Sequence, residues 1–372
     1  MYEIVLSEQH LLGRKEKCVG GLFMNCFKKT GTMTLVLSSL IVFALVVAGC
    51  GGGAKPAEPA KTAAPVKWVA NSVWPPANHQ SVGLTEFAKR AKEATKGKVD
   101  ITVQTGGALG YKGPELLKAV RDGLVPVSDM LTSGVAGDEP LFDIVTLPFL
   151  IQSFDEGKIL SDIARPHFDK AAEQKWGQKI LYISPWPAAG LWTKKEVKAV
   201  ADMKGLKTRT YDKNGALVMQ AVGGTPYPLP FSEVYSSLAT NLIDSVLTST
   251  PTAVDAKFWE VLKFYAPINI TMATDLVTVN LKEFNKLDKD TQAALVKLGK
   301  DMEAEMWKKV AQLDKDQEAI SNKGGIKTVA PSKEYLNELS AVTKGIREEW
   351  LKKAPAEAKT IVDEFNKKVG RK

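Results

Sequence analysis

VKWVANSVWPPANHQSVGLTEFAKRAKEATKGKVDITVQ, residues 66–104, reads as a strand, a helix and a second strand. VKWVA and VDITVQ are short apolar runs, and a helical pattern between them extends from about Ala77 to Thr95. Alternation of this kind argues for an α/β protein with largely parallel sheets. It continues downstream, with a helix over Pro114–Asp122 and strands over 125–131, 179–183, 205–211, 242–247 and 268–279. Pro114 suits the first turn of a helix, and Ser232 and Ser332 are expected to cap two others. A long pattern from Asp288 to Asn322 keeps Leu295, Leu298, Met302, Met306, Val310 and Leu313 on one stripe. At 1.5 Å per residue it reaches about 50 Å, more than one small domain needs, so this helix is expected to span two.

The 372 residues include 50 Lys and Arg against 42 Asp and Glu, a formal charge of +8. With 44% hydrophobic and 25% charged residues, the chain has globular composition and length for two domains, which excludes disorder. Lys and Glu are interspersed along the helical stretches rather than gathered into a basic stripe, so no nucleic-acid partner is expected.

Residues 28–50 read as an address. Lys28 and Lys29 precede the apolar run MTLVLSSLIVFALVVAG, residues 33–49, and small residues lead into Cys50. That is the order of a secretory signal, although an uncleaved anchor helix is the plain alternative. Translation is expected to start at Met24. Residues 1–49 are assigned to leader and signal peptide, and 50–65 to the cysteine and a Gly, Pro and Ala-rich tether, the one low-complexity segment. The three cysteines are Cys18, Cys26 and Cys50, so nothing beyond residue 50 can form an internal disulfide.

Catalytic patterns are scarce. His79 and His167 are the histidines beyond residue 50, and no HExxH, GxSxG elbow, Walker A loop or GxGxxG is present. No metal, cofactor or enzymatic activity is expected. Asp138, Glu139 and Asp143 read as a solvated loop. His79 reads as a helix-start or packing residue, and His167 carries no assignment.

The most informative stretch is ADMKGLKTRTYDKNGALVMQAVGGTPYPLPFSEVYSSLATNLID, residues 201–244. Arg209 sits on an expected strand of apolar neighbours, where a guanidinium is costly unless paired, and its planar fork matches a carboxylate. On residue chemistry alone a structural ion pair explains it equally well. The pattern Met203–Arg209, Gly224, Pro226 and Leu229–Tyr235, together with Leu147-Pro148-Phe149, resembles the solute-binding subunit of tripartite ATP-independent periplasmic (TRAP) transporters, DctP type. Val47-Ala48-Gly49-Cys50 resembles a lipobox, which makes Cys50 a lipid attachment point and the membrane a partner through that anchor.

The resemblance implies a two-domain, periplasmic-binding-protein-like fold with hinge strands and a domain-spanning helix. Residues 66–186 with 275–314 would form one domain, and 187–274 with 315–372 the other. It also implies an extracytoplasmic lipoprotein that captures a carboxylate on Arg209 and delivers it to small and large TRAP permease subunits driven by an ion gradient. Departures from the family pattern bear on the ligand. A second arginine common in the family falls at Ala189, and Thr248 replaces an Asn. Leu131 and Gly134 occupy a loop where polar contacts are usual. Asn241 stands where Gly is usual and is expected to keep the left-handed turn. Trp74, Tyr111, Trp186, Trp192 and Phe231 are candidate walls and Asn71 and Thr248 candidate pocket residues, which favours a monocarboxylate with an apolar or aromatic body. For each aromatic, core packing is the plain alternative, and Trp259, Trp307 and Trp350 read as helix-face core. The other function classes are a sensing module for a membrane receptor, a C4-dicarboxylate-binding TRAP subunit, and an extracytoplasmic hydrolase.

Overall fold

The computed structural model describes residues 64–371. The leader, Cys50 and most of the tether lie outside them. The first strand, helix and strand form as the opening stretch suggests: β1 (Val66–Asn71), α1 (His79–Ala94) and β2 (Val99–Gln104), with β1 and β2 parallel. Asn78 starts α1 by accepting a hydrogen bond from the Gln80 amide, the usual use of a short polar side chain at this position.

Two mixed sheets organise the molecule. The first has the order β2-β1-β3-β10-β4, with β3 at Val127–Leu131, β4 at Gln178–Pro185 and β10 at Thr274–Asn280. The second joins β5 (Gly190–Thr193), β6 (Lys207–Thr210), β7 (Thr225–Pro228), β8 (Ser245–Thr248), β9 (Phe264–Ala266) and β11 (Lys327–Thr328) in the order β11-β9-β5-β8-β6-β7. The expectation of largely parallel sheets is corrected by β10, which lies antiparallel to both β3 and β4, and by β5, antiparallel to β8 and β9. Both flank the crossings between lobes: the chain leaves the first sheet after Pro185, and β10 brings it back.

Three further corrections have local causes. The extended run expected over 268–279 is interrupted because Pro267 ends β9 and Asn269 adopts a left-handed φ of 49°. Ser232 lies inside a 3-10 turn, Phe231–Glu233, because the fixed φ of Pro230 starts the helical path earlier; α5 (Val234–Ala239) follows. Glu139 and Asp143 are buried rather than solvated. Glu139 accepts hydrogen bonds from Lys175 and Trp176 at the end of α3 (Phe154–Trp176), and Asp143 accepts one from Thr146. Pro166 inside α3 hides that helix from a reading by pattern.

The long helix forms as α8, Lys289–Lys323, capped by Asp288, and its 35 residues extend about 52 Å. Its N-terminal part packs on α1 and β4, and its C-terminal part on α6 (Thr250–Asp255) in the second lobe. The final helix, α10 (Ala356–Lys368), corrects the assignment of 315–372 to the second domain. Its Ala358, Ile361, Val362 and Phe365 join the first lobe's core beside Leu160, Ala164 and Phe168 of α3. Asn241 holds a left-handed φ of 60°, as its place after α5 requires.

The packing of α8 on β4 depends on Gly299. A Cβ there would lie 2.1 Å from the Leu181 carbonyl oxygen, a backbone atom that cannot move aside alone. Gly299→Ala should therefore destabilise the protein by about 1–3 kcal/mol. Gly345→Ala, at an open position in α9 (Lys333–Lys353) with no neighbour within 4 Å, should stabilise it by about 0.5–1 kcal/mol. Urea denaturation of the two variants checks the contrast.

Candidate functional site

A cleft of about 390 Å3, counting its open mouth, lies between the lobes. Trp74, Leu131, Trp186 and Ala273 line it from the first lobe and the adjoining crossings, and Ala189, Arg209, Tyr211, Phe231, Thr248, Ser249 and Thr252 from the second. Arg209 is on β6, whose parallel neighbours β7 and β8 fix its height. Period-two alternation then puts Tyr211 on the same face, and the guanidinium carbon stands 6.0 Å from the Tyr211 ring centroid.

Arg209 is only 5% exposed, and its Nε donates to the Leu229 carbonyl oxygen at 2.9 Å. Among the described residues no carboxylate stands within ion-pairing distance of it. Burial pulls its pKa down to about 10, against the opposing influence of Tyr211 and Asp212, so the group remains a cation at neutral pH. Among the described residues one of its five N–H bonds has an acceptor, which leaves four to meet a ligand in a cleft that also carries the Tyr211, Thr248, Ser249 and Thr252 hydroxyls. A structural ion pair, the alternative left open by residue chemistry, does not form among these residues.

The aromatic walls are fixed from behind. Trp74 and Trp186 meet edge to face at 4.7 Å, and Phe231 approaches Trp74 from the other lobe at 6.3 Å. His79 packs edge to face on Trp186, with Nε2 3.2 Å from the Pro185 carbonyl oxygen. Burial, partly offset by that carbonyl, lowers the His79 pKa to about 4, so the ring is neutral packing.

Of the nine candidate pocket residues, Arg209, Phe231, Thr248, Trp186, Trp74 and Leu131 line the cleft. The other three need correction. Trp192 is fully buried, stacked on Tyr265 at 4.0 Å, and its indole donates to the Thr248 carbonyl, so it supports a wall from beneath. Tyr111 packs on the first lobe's core. Asn71 is fully buried at the end of β1 and donates weakly to Ser128. Sequence reasoning missed Tyr211, Ser249 and Thr252. The alternation rule finds Tyr211 from Arg209, and the cluster Ser249-Thr250-Pro251-Thr252 after β8 marks a helix start at the cleft.

With this geometry in place, comparison with known proteins is decisive. Residues 70–353 match the DctP family, described as bacterial extracellular solute-binding protein, family 7. The chain belongs to this family. A DctP6 structure from Bordetella pertussis, an extracytoplasmic solute receptor binding pyroglutamic acid, is 31% identical with a TM-score of 0.78 over 81% of this chain and all of that one. The 2,3-diketo-L-gulonate-binding periplasmic protein YiaO of Escherichia coli is 28% identical over 58% of this chain and 66% of its own length. A monocarboxylate 2-oxoacid-binding periplasmic protein from Nostoc is 28% identical over 76% of this chain and 79% of its own. The two-lobed α/β architecture is that of DctP proteins, and the family is one of extracytoplasmic substrate binding for TRAP transport rather than of catalysis.

Asp212, at the N-terminus of α4 (Lys213–Ala221), accepts a hydrogen bond from the Gly215 amide. Burial, reinforced by Asp143, raises its pKa to about 7 despite the Gly215 amide and Arg209. The folded protein therefore holds a proton that the unfolded chain has released, and the sign follows: between pH 4 and 7 stability falls as pH rises, by up to about 1.4 kcal/mol per unit from this group. Asp212→Asn keeps the cap and should flatten that slope, as thermal unfolding across pH 4–8 would record. An unchanged slope would assign the titration elsewhere.

Proposed function

We propose that this protein is an extracytoplasmic TRAP receptor for a small monocarboxylate with an apolar or flat body. It closes over the ligand and delivers it to small and large membrane subunits driven by an ion gradient. The observation that carries this reading is Arg209, a buried cation without a carboxylate partner among the described residues, at the end of a cleft walled by Trp74, Trp186, Phe231 and Leu131. Its fork would hold the ligand carboxylate bidentately, in a lowered dielectric that strengthens the bond once the lobes close. Ala189 and Leu131 offer nothing to a second anionic group, and Arg209 is the sole cation among the lining residues described. The hydroxyls of Thr248, Ser249 and Thr252 are suited to a polar substituent near the carboxylate. Pyroglutamate and 2-oxo acids, named for the relatives above, are monocarboxylates of suitable size. Secretion through the signal over 28–49 and attachment through lipid on Cys50 complete the reading, and would hold the receptor beside its permease.

Calorimetry and thermal shift with pyroglutamate, branched and aromatic 2-oxo acids, benzoate and malate test it. A ligand at 100 times its dissociation constant should add about 2.7 kcal/mol of stability. Arg209→Ala should weaken binding by at least about 100-fold, the usual cost of breaking one side of a buried charge pair, while the unliganded melting temperature is kept or raised because a buried charge is lost. Stabilisation by malate alone would sink the monocarboxylate reading, and undiminished affinity in Arg209→Ala would sink the role of the arginine.

A further inference from the structure

Behind the aromatic wall of the first lobe lies a pair of fully buried carboxyl groups that ligand capture by Arg209 does not use. Asp129 on β3 and Asp275 on β10 are both 0% exposed. In the antiparallel register Asp275 faces Leu131 and Val277 faces Asp129, so the two acids sit diagonally on one face of the sheet. Asp275 accepts the Trp186 indole N–H at 2.7 Å on Oδ1 and the Trp74 indole N–H at 2.8 Å on Oδ2. Asp129 accepts the Ser72 hydroxyl at 3.0 Å on Oδ2, and its Oδ1 has no donor among the described residues. As diagonal neighbours on that face the two carboxyls repel one another when both are charged, so one proton on the pair is favoured.

The groups facing the pair are Ser72 from the loop after β1, Tyr182 and Ser184 from β4, the two indoles, and the neutral His79 behind Trp186. None is a cation. Two like charges so close in a dry site cannot both persist, and burial raises the pKa of each carboxyl. The hydrogen-bond inventory places the proton. Asp275 has both oxygens occupied by indole donors and acts as the anion. Asp129, with one oxygen on Ser72 and the other without a partner among the described residues, is the better place for the proton.

We propose that Asp275 is the positioning residue for both indole walls of the cleft, and that its single negative charge, beside a protonated Asp129, keeps a second ligand carboxylate away from the first-lobe side. The indoles present their faces and edges to the ligand because their N–H groups are turned to Asp275. They therefore offer no donor that could compensate a second anionic group. Arg209 in the second lobe and Asp275 in the first make the cleft a dipole, positive where the carboxylate binds and negative behind the wall that receives the body. This selectivity rests on the monocarboxylate reading above, whereas the positioning of the indoles does not.

The test compares Asp275→Asn with Asp129→Asn in the full chain. Asn at 275 leaves one acceptor oxygen for two indole donors and removes the charge. Asn at 129 keeps the shape, accepts from Ser72 through oxygen and stays neutral, imitating the protonated acid. The readout without ligand is the pair of indole 15N–1H resonances of Trp74 and Trp186 at pH 7, assigned with Trp74→Phe and Trp186→Phe. Asp275→Asn is expected to displace both, and Asp129→Asn to leave both within a line width. The ligand readout is the ratio of dissociation constants for malate and pyroglutamate, expected to fall at least 10-fold in Asp275→Asn and to stay within 3-fold of the parent in Asp129→Asn. Stationary indole resonances in Asp275→Asn, or an unchanged ratio with both acids bound, would overturn the proposal. Equal disruption by Asp129→Asn would overturn the assignment of proton and charge. Should the parent bind neither acid, the ligand reading and the selectivity resting on it fall together, and the resonances alone still decide the positioning.

Discussion

The guanidinium of Arg209 is the constraint around which the rest of the molecule is arranged. Taking an ion of this size out of water costs several kcal/mol even after relaxation. The protein offsets only part of that cost, with one carbonyl, the face of Tyr211 and the more distant Asp212. A neighbouring carboxylate would have removed the cost and, on the proposed reading, the function with it. By leaving the fork open, the fold keeps in the unliganded cleft an unmet demand for an anion with two acceptor oxygens. The surrounding apolar wall raises the strength of the bond that meets it.

That demand requires two lobes. The cation is on the second sheet, whereas Trp74 and Trp186 belong to the first lobe and its crossing, so no single lobe presents a complete site. Contacts between the lobes include hydrogen bonds, from Asn78 to Asp255 at 2.6 Å and from Asn214 to Thr146 at 3.2 Å, beside the edge of Phe231 on Trp74 and Phe149 packed on the second lobe's core. Such hydrogen bonds exchange with water at little net cost, which suits the parting of lobes that the proposed capture requires. A ligand bridging Arg209 and the indoles adds to the closed state alone, and only such differential binding shifts the equilibrium. Helix α8 runs through both lobes and limits what that motion can be, since its Gly299 is seated against the β4 backbone on one side while its later turns pack on α6 on the other.

Legibility in the sequence followed the range of the interactions. The opening βαβ unit, the cap at Ser332 and the left-handed Asn241 are local effects, so the bases for them lie within a few residues. Strand direction was not local. The antiparallel insertion of β10 depends on a chain that departs at Pro185 and returns at Thr274. Within the site, a cation among apolar residues drew attention to Arg209, and the family resemblance then singled out both Arg209 and Phe231. Trp192 shared the chemistry of a wall residue but points to the other face of its strand, against Tyr265, and residue type alone cannot reveal a face. Glu139 and Asp143 were misread for the same reason, since the partners that bury them come from α3 and from a helical turn.

Asp275 shows where a sequence signal existed and lacked a meaning. It is the one charged residue in the otherwise neutral run Ala266–Asn280, and a charge in the middle of a buried strand is costly enough to need a reason. The reason comes from three places far apart in the chain, Trp74, Asp129 and Trp186, that only the sheet brings together. Recognition of the ligand's acid end and of its body thus follow different logics. On the proposed reading, the acid end is met by a charge without a partner among the described residues, and the body by aromatic planes whose N–H edges are already engaged. On that reading the site discriminates by what it withholds: one open cation allows one carboxylate, and saturated indoles leave a second with no donor to replace its water.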